Sequence, residues 1–307
     1  MLNNTPKGNS LYKELAIIAP TASGKTALSI ELAHETNSII LSLDSLAVYN
    51  KIDIASAKPT LSERDGITHF GIDCINPNET FDVVEFYEEY KKAKKYALEN
   101  DKNLIIVGGT GFYLKSMIEG LSKTPIISDI TKEIVKEKLK DIEKLYKKLF
   151  ELDENYMKNI SPNDKYRIEK AAEIYFETKL TPNEYFTQNK PEPLVHNLPL
   201  FEILTDPDVL RERIKKRTKI MLKDGLIDEV IALEQEYTRA PNCMNSIGIS
   251  ETFRYLDSEI SREELENLIS IHTAQLAKRQ RTFNKSQFEN VYKTELKDMK
   301  KLILSRY

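Results

Sequence analysis

The sequence predicts an α/β protein, a parallel-sheet core into which an all-helical domain is inserted. Three observations carry this. An apolar strand runs directly into the turn Ser23-Gly24-Lys25-Thr26 within Leu15 to Thr26. Strand-like and helix-like patterns then alternate to about residue 120, which in one chain means parallel strands joined by crossover helices. From about Leu121 to Leu198 only helical periodicity remains. The expected division is a core of residues 1–120 with 198–307 and a helical insertion of 121–197.

The first strand ends in a phosphate-binding loop, so the core is expected to be P-loop NTPase-like. Such a loop bends backbone N–H groups around a di- or triphosphate. Lys25 reaches the same oxygens, the Thr26 hydroxyl can ligate Mg²⁺, and the following helix aims its N-terminus at the anion. The strict pattern G-x-x-x-x-G-K-[ST] is broken by Ala19 at the first glycine. Alanine disfavours only positive φ, so the loop works if Ala19 is extended. The amphipathic run Ala27 to His34 supplies the helix.

A second strand, Ile39 to Leu43, ends in Asp44-Ser45, and an irregular segment follows to Pro59. A helix from about Phe81 to Asn100 leads to a third strand from Asn103, which turns at Gly108 to Gly111. Ligands of parallel sheets bind outside the carboxyl ends of the strands. The loop, Asp44 and Thr110 therefore belong at one edge. In the insertion, Ile130, Ile134, Ile142, Leu145 and Leu149 recur at helical spacing, and the style repeats after Pro162. A strand at Leu198 to Leu204 returns the chain to the core. Asp206-Pro207 then starts a helix, and Ser261 with Glu264 has capping-box spacing at the head of a helix through Arg281.

With 307 residues and 40% apolar content the chain can bury a substantial core. Cys74 and Cys243 are far apart and lack C-x-x-C spacing, against a disulfide framework or a zinc site. The polar start MLNNTPKGNS has no signal-peptide core, and no apolar run is long enough to cross a bilayer. A soluble, cytoplasmic monomer with no membrane partner is expected. The net charge of −3 opposes a globally basic nucleic-acid binder. Two local clusters point the other way: Arg211 to Lys219, with Arg213 and Arg217 on one helix face, and Lys278 to Lys285, with Phe283 among the cations. Arginine pairs with phosphates, and an aromatic among basic residues suits the stacking of unpaired bases.

A phosphate loop most often serves a kinase or NTPase. Here the third strand ends in Gly-Gly-Thr where a Mg²⁺-holding acid is expected, and no guanine-reading N-K-x-D occurs. The acid on offer is Asp44, placed to take a proton from a group lying across the sheet edge from the phosphates; a strand-end cap or an outer Mg²⁺ contact is the alternative for it.

The motifs resemble the tRNA dimethylallyltransferases. That family opens with G-P-T-A-S-G-K-T, and this chain has Ala19, Pro20, Thr21, Ala22, Ser23, Gly24, Lys25 and Thr26. D-S-x-x-x-Y stands as Asp44, Ser45 and Tyr49, and D-I-G-T-A-K-P as Asp53 to Pro59 with Ala55 and Ser56 in place of Gly-Thr. V-G-G-T-x-x-Y is Val107 to Tyr113, P-N-D-x-x-R-I is Pro162 to Ile168, R-I-x-x-R-x-x-x-M-L is Arg213 to Leu222, and Q-L-A-K-R-Q is Gln275 to Gln280. The resemblance covers about residues 15 to 285. It departs at Ile249-Ser250, where the family has Tyr and a basic residue, at Phe283 for Trp, and at Lys170 for Arg.

The resemblance implies transfer of a dimethylallyl group from its diphosphate to N6 of the adenosine immediately 3′ of the anticodon, with Mg²⁺. It implies Asp44 as the base, Thr110 as donor to the bridging oxygen, and the loop with Arg217 and Arg213 as the clamp on the leaving diphosphate, Thr26 holding the metal. Asp44, Ser45, Leu46, Ala47, Thr110, Lys132, Arg167, Lys170, Gly248, Lys278, Arg279, Gln280, Arg281 and Phe283 would meet the tRNA, and the insertion would embrace the anticodon stem. The target base would be flipped from its stack to be reached. Rival readings are a small-molecule or nucleoside kinase, and an adenylate isopentenyltransferase acting on free AMP or ADP; neither needs the helical insertion or the basic C-terminal helix.

Overall fold

The computed structural model describes residues 13–306. They form two compact units. One takes the described residues up to Ser116 together with those from Val195 on, and the other is Met117–Leu194.

The first unit is built on six strands: β1 (Glu14–Ile18), β2 (Ser38–Leu43), β3 (His69–Phe70), β4 (Asn103–Gly108), β5 (Leu200–Leu204) and β6 (Tyr292–Glu295). They lie in the order β3-β2-β4-β1-β5-β6, and every neighbouring pair is parallel. Strands β1, β2 and β4 are covered on both faces, which explains their near-continuous apolar runs. On one face Leu15, Ile17, Ile40, Ile105, Val107 and Phe201 pack with Leu28, Leu32 and Ala33 of α1 (Lys25–Glu35).

Helix α2 (Val83–Glu99) buries Phe86, Tyr90, Ala93 and Ala97. It begins where Asp82 accepts from Val84 N while Glu85 reaches back to the cap, a box that holds two otherwise unpaired N–H groups. Helix α3 (Gly111–Glu119) follows β4 directly. The sequence shows only a glycine turn there, because two of its first three residues are Gly and Phe and the periodic run is short.

In Met117–Leu194 every complete regular element is a helix: α4 (Asp129–Lys138), α5 (Ile142–Leu152), α6 (Glu154–Met157), α7 (Lys165–Thr178) and α8 (Pro182–Gln188). Val135, Leu145, Leu149, Met157, Ile160, Ile168 and Ala171 form its core. Ile130 and Ile134 do not belong to that core; they are 76% and 40% exposed. A tight turn at Leu139–Asp141 separates α4 from α5, so the apolar spacing does not run in one register, and α4 turns Thr131 and Val135 inward instead.

After β5 the expected caps are present. Asp206 accepts from Asp208 N and Val209 N to start α9 (Pro207–Lys223). Helices α10 (Leu226–Tyr237) and α11 (Ile249–Leu256) follow, and Ser261 with Glu264 opens α12 (Arg262–Gln287). α13 (Leu296–Leu304) returns Met299 and Ile303 to the sheet. Cys74 and Cys243 are free thiols. Among the described residues no helix is long and apolar enough to cross a membrane.

Gly108 is required by close backbone approach. A Cβ there would lie 2.4 Å from Leu43 O and 2.5 Å from Leu43 Cβ, on the paired strand. Gly108→Ala must push β2 away at its carboxyl end. The expected outcome is a loss of about 1–3 kcal/mol, the usual range for overpacking, read as a lower denaturant midpoint at unchanged slope.

Candidate active site at the carboxyl edge of the sheet

Ile18, Gly108 and Leu43 stand in one row across β1, β4 and β2. The residues that follow them therefore leave the sheet side by side. Ala19 N donates to Gly108 O at 3.2 Å, and Thr110 N donates to Leu43 O at 3.1 Å. This brings the phosphate loop, Asp44 and Thr110 to one edge, as the strand pattern predicts.

Ala19 is fully buried and is not among the residues with positive φ, so its departure from glycine leaves the loop intact. The left-handed positions are Ala22 (φ 62) and Gly24 (φ 94). Holding alanine there costs about 1–3 kcal/mol, the kind of strain that clusters at ligand sites. Ser23 is buried with an Oγ that has no partner among the described residues.

Two arginines from one face of α9 reach the loop. Arg217 donates to Thr21 Oγ1 at 3.3 Å and Arg213 to Ser23 O at 3.1 Å. Lys25 Nζ donates to Pro20 O at 3.4 Å. Burial pushes Lys25 down to about 8; Asp44 opposes that shift and Arg217 adds to it. Burial also lowers Arg217, again against the pull of Asp44. Two desolvated cations close enough to feel each other and one carboxylate make a pocket that favours a polyanion.

Asp44 Oδ1 accepts from Leu46 N at 2.9 Å and from Ala47 N at 3.2 Å. This is the strand-end turn that aspartate commonly makes, and it fixes the carboxylate's direction. Oδ2 has no protein partner among the described residues, so one oxygen orients the group and the other is free to accept a proton. Ser45 is exposed, Leu46 half-buried and Ala47 buried. Tyr113, stacked on Phe86 at 4.8 Å, is pushed up to about 12 by burial, then by Tyr49, Asp82 and Asp44. The phenol thus stays neutral beside the acid.

The C-terminal half of α12 lies over the loop and the turn before α3. Gln280 Oε1 accepts from Thr21 N at 3.0 Å. A Cβ on Gly109 would meet Gln280 Nε2 at 2.4 Å, and one on Gly111 would meet the Phe283 ring at 2.7 Å and Asn284 Oδ1 at 2.9 Å. Asn284 is buried, and neither of its amide atoms has a partner among the described residues. Lys278, Arg279 and Arg281 are exposed and have no carboxylate partner among the described residues. Lys278 and Arg281 line an open groove shared with Arg211, Arg213 and Lys285.

Gly248 is buried at φ 95, and its N–H donates to Glu251 Oε2 at 2.7 Å. Ile249 is a fully buried core residue, which explains an apolar side chain at that position. In the inserted unit Lys132 pairs with Asp129 at 2.8 Å, Arg167 with Asp164 at 3.4 Å and Lys170 with Glu173 at 2.7 Å. The Lys132–Asp129 pair is exposed on both sides, where such a pair contributes about 0–1 kcal/mol, whereas Glu173 is a buried carboxylate.

Two residues that the sequence reading did not assign to the site support it. Glu229 accepts from the backbone N–H groups of Asp53, Ile54 and Ala55 at 3.0, 2.7 and 2.9 Å. Buried Lys58 donates to Tyr49 O, Asp53 and Asp73. Together they hold the irregular segment after Asp44. Lys58 sits in a visible motif, but Glu229 is 174–176 positions from its partners and gives no local signal.

Among the described residues no three His, Cys, Asp or Glu gather into a metal cage. Thr26, at the second position of α1, has a hydroxyl with no protein partner among the described residues. That donor set fits Mg²⁺, which characteristically takes one or two protein oxygens and completes its shell with substrate phosphates and water.

Comparison with known proteins agrees with this geometry. The family model described as IPP transferase matches residues 47–287. The tRNA dimethylallyltransferase of Aliarcobacter butzleri is 62% identical over 278 residues, covering 91% of this chain and 93% of that protein. The protein of the same name from Sulfurovum is 53% identical over 96% of this chain and 99% of its own length. A solved eukaryotic dimethylallyltransferase acting on tRNA aligns with a TM-score of 0.82 at 25% identity, over 95% of this chain and 77% of that one. The tRNA isopentenylpyrophosphate transferase structure from Staphylococcus epidermidis aligns at 0.68 with 34% identity, over 96% of this chain and 98% of that one. A phosphate loop without a carboxylate after β4, an acid after β2 and matches along most of the sequence lead to one assignment: the chain belongs to the IPP transferase family.

Proposed function

We propose that the protein transfers a dimethylallyl group from dimethylallyl diphosphate to N6 of the adenosine immediately 3′ of the anticodon in tRNA. The observation that carries this reading is Asp44, with one carboxylate oxygen bound by Leu46 and Ala47 and the other open, beside a buried cationic loop. A kinase on this core would want an acid after β4, where Gly109 and Thr110 stand.

An exocyclic adenine amine is a poor nucleophile because its lone pair is delocalised into the ring. As N6 attacks the allylic carbon and the carbon–oxygen bond breaks, the N6 proton passes to Asp44 Oδ2 and the electron pair leaves with the diphosphate. Lys25, the loop N–H groups, Arg217 and Arg213 stabilise that departing charge, and Thr110 donates to the bridging oxygen. Mg²⁺, held by Thr26 and the diphosphate, would neutralise further charge on the leaving group. Lys278, Arg279, Arg281 and Phe283 hold the anticodon loop, with Ser45, Leu46, Ala47 and Gly248 near the target base. Lys132, Arg167 and Lys170 of the inserted unit pair with further phosphates. The protein acts in the cytoplasm as a monomer.

The direct test is mass spectrometry of tRNA nucleosides after incubation with dimethylallyl diphosphate and Mg²⁺. A mass gain on adenosine 3′ of the anticodon is expected. Modification of free AMP but not tRNA, or phosphate transfer from ATP to a small acceptor, would replace this reading with one of its rivals.

Asp44→Asn keeps the turn but cannot take the proton. Turnover should fall by roughly two to four orders of magnitude, with tRNA affinity within a modest factor, as single-turnover kinetics and a filter-binding assay would report.

Lys25 makes donor binding depend on pH. Its pKa in the free protein is about 8, so it is charged below that value and neutral above it. A bound diphosphate favours the charged form, and binding above pH 8 must therefore take up a proton. Affinity for dimethylallyl diphosphate should fall as pH rises through 8, by at most about tenfold per pH unit for one linked proton. Calorimetry in buffers of different ionisation enthalpy checks the proton uptake, and Lys25→Arg should flatten the profile.

RNA affinity should fall linearly with salt on logarithmic axes. Charge reversal at Lys278 or Arg281 should lower the slope by about 0.7 for each single-strand phosphate that is no longer neutralised. Phe283→Ala should weaken binding by about 1–3 kcal/mol at unchanged slope, the signature of a missing base stack.

A further inference from the structure

One side chain joins α12 to both halves of the diphosphate site. Gln280 Oε1 accepts the Thr21 N–H at 3.0 Å, and its amide end occupies the space over Gly109, where a Cβ would come within 2.4 Å. Thr21 is itself a junction, because its hydroxyl accepts from Arg217 at 3.3 Å. One turn further along α12, Phe283 and Asn284 close on Gly111. The helix thus has two faces. Lys278, Arg279 and Arg281 stay exposed, while Gln280 is half-buried with its acceptor bound to loop backbone.

A phosphate loop works by presenting its N–H groups in a fixed array, and one free to rotate would let the loop sample competing shapes. We propose that Gln280 is a positioning residue for the diphosphate loop and not an RNA contact. It fixes the Thr21 peptide, keeps that N–H outside the phosphate cradle, and ties the loop to the glycine turn that carries Thr110. The proposal rests on the reading of the loop as a diphosphate site.

Gly109→Ala is an independent way to break the same link, since its methyl would push the flexible amide off Thr21. The test is calorimetric binding of inorganic pyrophosphate with Mg²⁺, and separately of an anticodon stem-loop RNA, to the full chain and to Gln280→Ala, Gly109→Ala and the double variant. Each single variant should weaken pyrophosphate binding by about tenfold, as removal of one orienting hydrogen bond would, and leave RNA affinity and melting temperature near those of the parent. The double variant should be no weaker than Gln280→Ala, because both changes remove one link. In turnover, KM for dimethylallyl diphosphate should rise while KM for tRNA holds. A loss of RNA affinity with pyrophosphate binding intact, equal losses of both, additive losses in the double variant, or no change would each overturn the proposal. Failure of the unmutated chain to bind pyrophosphate while it still binds the RNA would instead remove the diphosphate reading itself.

Discussion

The parallel register of β2, β4 and β1 is the constraint on which the site depends. Because Leu43, Gly108 and Ile18 share one row, three segments from distant parts of the chain leave the sheet as neighbours. The row is tight enough that Gly108 has no room for a side chain against Leu43. A shift of one residue in either ladder would exchange the side chains between the two packed faces of the sheet and offset the acid from the loop. The sheet's hydrophobic packing and the placement of the chemistry are therefore one requirement.

Electrostatics then defines what the edge can hold. Lys25 and Arg217 are both desolvated, and each is destabilised in its charged form by burial. Asp44 relieves part of that cost, and its second oxygen has no protein partner among the described residues. Such an arrangement is incomplete without an anion, which would satisfy the cations and the loop N–H groups together.

The irregular stretch after Asp44 is held from outside. Glu229 gathers three successive N–H groups of Asp53 to Ala55, and Lys58 is buried against Tyr49 O and two aspartates. These bonds replace the ladder hydrogen bonds that a loop lacks. Helix α12 serves a related end on the other side, with a polar face on the glycine turns and a cationic face left in solvent.

The local structure of this protein was legible in its sequence. The phosphate loop, the strand-end Asp44, the caps at Asp206 and Ser261 and the alternation of strands and helices depend on residues within a few positions of each other, where spacing fixes geometry. The helical character of the insertion was legible too. Its buried face was legible only in α5, where Leu145 and Leu149 enter the core and Ile142 packs against it; in α4 the turn at Leu139–Asp141 resets the register and leaves Ile130 and Ile134 exposed. Tertiary structure alone decided the partners of Gln280, Glu229 and Asn284, the depressed pKa of Lys25 and the burial of Ile249. Each of these is set by groups far along the chain, and burial and through-space charge leave no mark in the order of residues.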